Sequence, residues 1–190
     1  MTRNHSLNRT HCGMRQRPSI SFWALATYRN GPVSSNVMPH MRPLRAHERL
    51  ALDMLLAGEE HALVALRAQA QEVAVRSRTY SSFGEYVDLT APANSQTASP
   101  SELILSDIEL NVSGVSHAVT VMLYVKSGRL DFIEFSTIEG DWPEQPLVTS
   151  AHYLRAVPTG PQSFGLEPVQ LRHPATLSRA LAGRDQQSAA

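Results

Sequence analysis

Proline placement constrains this chain more than any other feature. Its twelve prolines fall at 18, 32, 39 and 43, then at 92 and 100, then at 143, 146, 158, 161, 168 and 174. Proline removes a backbone donor and fixes φ, so helices and sheet ladders run best where it is missing. The proline-free stretches are 44–91 and 101–142. They predict a folded domain over 44–148 with a loop near 91–102. A leader over 1–43 precedes it, and a proline-containing tail over 149–190 follows it. The leader and the tail are expected to be flexible, apart from a short helix near 175–183 that stops at Gly183.

Charge divides the chain at the same place. Residues 1–49 carry eight arginines and one acid, net +7, whereas residues 50–150 carry five basic groups and fourteen acids, net −9. The overall balance of seventeen against seventeen therefore hides a basic arm and an acidic body. The acid-free leader up to residue 43 has no sustained periodicity, as in disordered chains. Within it, Ile20–Ala26 is apolar and short. It is read as a signal-like segment, as part of an organelle-type leader, or as sequence upstream of a start at Met38 or Met41.

Within 190 residues of which 42% are apolar, one core is expected. Residues 44–57 read as a helix, with Pro43 at its start and Gly58 at its stop. Ala62, Leu63, Leu66, Ala70 and Val73 give a second helical face, so the two helices are expected to form an αα-hairpin. The period then changes to two. Val73, Val75, Ser77 and Thr79 alternate with Arg76 and Arg78. Glu85–Leu89 is a short strand, and Ile108, Leu110 and Val112 form another. Ala118–Val125 is nearly all apolar, which predicts a central strand covered on both faces. Lys126-Ser127-Gly128 is a hairpin loop, and Arg129–Thr137 returns. A three-residue loop with a bulge sets Thr120 opposite Glu134, and a two-residue loop sets Val121 there. The fold class is α+β, an N-terminal αα-hairpin on an antiparallel sheet of about five strands.

The text Tyr124-Val125-Lys126-Ser127-Gly128-Arg129-Leu130, followed by Ile133-Glu134-Phe135 and a Trp-Pro exit at Trp142, resembles a pattern in small uncharacterised bacterial proteins. Some of those look like immunity proteins, which neutralise a toxin by binding it. The resemblance implies a binding domain and carries over no catalytic residue.

Candidate site residues follow from the same hairpin. Glu134 lies between Ile133 and Phe135. It is read as a general acid/base or partner-binding carboxylate, or as a residue that either lies on the wetter sheet face or pairs with Arg129, Arg76 or Arg78 on neighbouring strands. Glu134, Glu139, Asp141 and Glu144 form an acidic rim suited to a basic partner. Tyr124, Phe132, Phe135 and Trp142 leave apolar area for an interface unless the C-terminal segment folds back over it. The candidate partner-binding set is Tyr124, Glu134, Phe135, Glu139, Asp141 and Trp142.

Other chemistries lack their signatures. The eight histidines show no metal-ligand spacing, and His47 reads as a satisfied residue at the edge of the first helix's apolar stripe. Cys12 alone makes no disulfide framework. There is no Gly-x-Ser-x-Gly, no phosphate loop and no dinucleotide fingerprint, so no cofactor is expected. No run approaches the roughly 18 apolar residues of a membrane span. The expectation is a cytoplasmic, non-enzymatic module that binds a protein partner or itself, as an immunity-type inhibitor or a homodimer. Two alternatives stand beside it: an enzyme with a site around Glu134 and a histidine, and nucleic-acid binding through the arginines and aromatics of the leader. The acidic body disfavours the last.

Overall fold

A computed structural model describes residues 41–139, 142–160 and 163–182. The signal, start-site and nucleic-acid readings of residues 1–40 lie outside the described residues, as does Asp141. No helix among the described residues is long and apolar enough to cross a membrane.

The chain is α+β. Two helices, α1 (Ala46–Leu55) and α2 (His61–Gln71), precede the strands β1 (Ala74–Ser81), β2 (Gly84–Thr90), β3 (Leu103–Val112), β4 (Val119–Lys126) and β5 (Arg129–Ser136). Two more strands, β6 (Val148–Gly160) and β7 (Ser163–Val169), and a helix α3 (Pro174–Leu181) follow. All seven strands join one sheet in the order β1-β2-β5-β4-β3-β6-β7, each neighbouring pair antiparallel.

Period-two alternation gives the sheet one apolar face. Val87, Ile133, Leu123 and Leu105 lie in one register row across four strands, and all four are fully buried or nearly so. Ala51, Leu52, Leu55 and Leu56 from the first helix and its cap, with Leu63 and Leu66 from the second, close that face. Leu177 of α3 joins the same core.

Four expectations are corrected. The helices do not form an N-terminal αα-hairpin: α1 packs on β3 and β4, and α2 packs on β5. Each helix has its own apolar stripe, and the sheet offers more apolar surface than the other helix does. Arg67 fixes the connection between them by donating to the carbonyls of Leu56 and Gly58. The sheet has seven strands, not about five, because the proline-containing tail supplies β6 and β7. Prolines are tolerated there since β7 is an edge, and β6 beyond Tyr153 pairs with β7 alone. Strand β4 is not equally covered on its two faces: Val119, Val121, Leu123 and Val125 are buried, whereas Thr120 is exposed and Met122 and Tyr124 are only partly buried. Finally, Met122 stands opposite Glu134. The turn is the two-residue kind, with Ser127 and Gly128 both at positive φ, and a bulge at Asp131 then shifts the return strand by one.

The loop before β3 is held by two polar anchors. Buried Gln69 donates to the carbonyls of Gln96 and Gly128 and accepts from the Leu130 amide. Arg129 donates to the carbonyls of Pro92 and Ala93. The Gly128-Arg129-Leu130 text therefore serves a structural end here: turn, loop clasp and core residue.

Gly84 starts β2 at φ +150°, and a Cβ there would stand 1.8 Å from the Phe135 carbonyl oxygen of β5. Gly114 has φ +85° but open space around it. Gly114→Ala should cost about 1–2 kcal/mol, the ordinary left-handed penalty. Gly84→Ala should cost more, because the β5 backbone has to move. Urea unfolding of both variants checks the order, and equal midpoints would contradict the close approach.

Candidate functional site

Strand parity carries a carboxylate into the core. Val87 and Leu89 face the helices, so Glu85, two positions before Val87, faces them as well and is fully buried. A bulge between Val75 and Ser77 moves Arg78 onto the same side, opposite Val87. The first turn of α1 lands on this corner and adds His47 and Glu48, both buried.

Buried charge must be paired, and here it is paired unevenly. Glu48 is held by a fork from Arg78, with Nε donating to Oε1 at 2.6 Å and Nη2 to Oε2 at 2.8 Å. The Arg45 amide also donates to Glu48 Oε2 at 2.7 Å, which closes the start of α1. The hydrogen bond to Glu48 raises the Arg78 guanidinium above its usual pKa, against the opposing effect of burial. His47 Nε2 meets Glu85 Oε1. Glu85 Oε2 accepts no hydrogen bond. The Arg45 Nη1 stands 3.8 Å from it.

Aromatic rings wall this cluster. The His47 ring stands edge-on to Phe135 at 5.1 Å and to Trp142 at 6.3 Å. The Trp142 Nε1 is buried without a partner. Two open cavities adjoin the cluster. One, of about 370 Å³, is lined by Arg45, Ala46, His47, Gln145 and Pro146. The other, of about 400 Å³, is lined by Arg45, Tyr80, Trp142 and Glu144. Chemically, His47 with a carboxylate on one ring nitrogen is a base of fixed orientation or a metal ligand.

Among the described residues, no helix packs on the opposite face of the sheet over β2, β5 and β4. Register aligns Tyr86, Glu134 and Met122 in one outward row and Asp88, Phe132 and Tyr124 in the next. Tyr124 stacks on Phe132 with ring centroids 4.0 Å apart. The Tyr86 hydroxyl donates to Glu134 at 3.2 Å. Partial burial first, and then the Glu134 charge and hydrogen bond, raise the Tyr86 phenol above its usual pKa.

The expected partner-binding residues therefore separate. Tyr124 and Glu134 lie on the outward face. Phe135 is buried on the inner face, and Trp142 packs against it near His47. Glu139 is exposed in the loop after β5, with His117 Nε2 3.2 Å from its carboxylate. Asp141 lies outside the described residues. Glu134 takes the wetter-face reading. Its hydrogen-bond partner is Tyr86 rather than an arginine, and none of the described histidines is bonded to it. The C-terminal segment does not fold back over the face but extends the sheet at its edge. The sequence does not single out Glu48 or Glu85, and it offers Arg78 only as a partner for Glu134. The parity of Glu85 with Val87 and Leu89 was the available signal, whereas Arg78 was hidden by the bulge. No protein-family model, curated protein or solved structure matches the chain.

Arg78→Met leaves Glu48 buried without its cation and should destabilise the fold by about 3–5 kcal/mol. Arg78→Lys, which keeps the charge but loses the fork, should cost less. Chemical denaturation measures both; a neutral Arg78→Met would contradict the pairing.

Proposed function

We propose that the protein is a non-enzymatic binding module whose outward sheet face, opposite α1 and α2, docks a protein partner of basic surface. The observation that supports this most is the pair of outward rows on β2, β5 and β4, which set aromatic and thioether groups around carboxylates. Such a surface suits arginine-bearing partners, since guanidinium groups stack on aromatic rings and fork onto carboxylates. Asp88 and Glu134 lie in these rows, and residues 50–150 are net −9. The same charge works against a second copy docking face to face. The resemblance of the β4–β5 hairpin to immunity-like bacterial proteins points the same way, so an inhibitor of a basic protein is the favoured member of this class.

The test is affinity capture at low ionic strength, identification of the captured protein, and titration of that purified partner. Glu134→Lys should weaken binding at least tenfold, and added salt should weaken it further. His117→Asn, in an exposed loop, should leave it unchanged. Equal affinity of the wild type and Glu134→Lys, or a partner footprint on the helical side, would overturn the reading.

A further inference from the structure

We propose that His47, Glu48 and Glu85 form a binding site for one divalent transition-metal ion, with Zn²⁺ as the best-fitting ion. One ligand atom from each of the three side chains lies within 4.8 Å of the others, and all three residues are buried. Ligand atoms at about 2.0–2.2 Å from a tetrahedral zinc stand about 3.4 Å from one another, so side-chain rotation has to adjust these atoms from their spacing within 4.8 Å.

Three observations point to a cation rather than to a closed ion-pair network. Glu85 is fully buried, yet its Oε2 accepts no hydrogen bond. A carboxylate has about four acceptor positions. His47 Nε2 meets Oε1, and Arg45 approaches Oε2 no closer than 3.8 Å; on metal binding, Nε2 would exchange the Oε1 contact for the ion. The two buried carboxylates are also served unequally: Glu48 has the fork from Arg78, whereas Glu85 has His47, a cation only when protonated, and Arg45. Arg45, the nearby second cation, is 39% exposed and 3.8 Å away. Third, a cavity of about 370 Å³ is lined by His47 and leaves room for a water or ligand beside that ring.

Glu48 fits a ligand held by other groups. Arg78 and the Arg45 amide take three of its acceptor positions and leave one on Oε1. Such outer contacts commonly orient a metal-bound carboxylate. One imidazole nitrogen with two carboxylate oxygens is a mixed, borderline donor set. It suits Zn²⁺ better than the all-oxygen preference of Mg²⁺ or Ca²⁺. Binding requires His47 to be neutral.

The test uses the full chain with His5, His11, Cys12 and His40 replaced, so that the leader offers no competing ligands. After chelator treatment this parent should take up one Zn²⁺ per chain in competition titrations, and its melting temperature should rise with Zn²⁺. Co²⁺ should give visible d–d absorption. His47→Asn and Glu85→Gln should each weaken binding by about 100-fold or more, the upper range for damage to an outer contact. On the parent itself, Zn²⁺ should move the Nε2 resonance of His47 and of no other histidine, so the assignment does not depend on the variants folding. Absence of stoichiometric Zn²⁺ uptake, unchanged binding by Glu85→Gln in a folded variant, or a shift at a different histidine would overturn the proposal.

Discussion

A sheet covered on one side is the constraint from which most of this structure follows. Each strand must send every second residue toward α1 and α2, and the chain cannot choose its residues one at a time. Once Val87 and Leu89 are committed to the core, Glu85 goes with them. The cost of that burial is met by His47 and by the approach of α1 to the same corner. A second carboxylate, Glu48, comes along with the helix and brings Arg78 with it. The polar cluster is thus a consequence of strand parity.

Bulges do the remaining work of aiming charge inward. The one in β1 turns Arg78 toward Glu48. The one in β3, between Leu105 and Ile108, buries Asp107, which takes a fork from Arg172 at 2.6 and 2.7 Å. Arg172 also donates to the Ala57 carbonyl, so the start of α3 is tied to the end of α1. Tyr153 adds a hydrogen bond from its hydroxyl to Met54. Burial raises that phenol above its usual pKa, with the Arg172 charge acting in the opposite direction. Strand β6 pairs with β3 only from Ile108 onward, and α3 packs on both strands where they part. These two bulges therefore each place an ion pair at a joint between a helix and the sheet.

The first two helices and the first five strands were legible because apolar spacing is a local property. The switch from a period of about 3.6 to a period of two near Val73 marks the change from α2 to β1 in the text itself. Strands β6 and β7 were not legible, because Pro158 and Pro168 argue against a ladder unless the edge position is known. Coverage of β4 was misread for a related reason: Met122 and Tyr124 are apolar whether or not anything lies over them. At the candidate sites, Glu134 and Tyr124 could be picked from the hairpin text. The pairing of His47 with Glu85 spans 38 residues, and nothing local announces it.

The central claim is that one side of β4 is buried beneath α1 and the other is more accessible. Thiol accessibility tests it directly. In a chain with Cys12 replaced by serine, single cysteines at Thr120, Met122 and Leu123 can be challenged with a water-soluble thiol reagent under native conditions. The account predicts fast labelling at 120 and 122 and strong protection at 123. Comparable protection at 122 and 123 would mean that something covers the outward rows, and would contradict it.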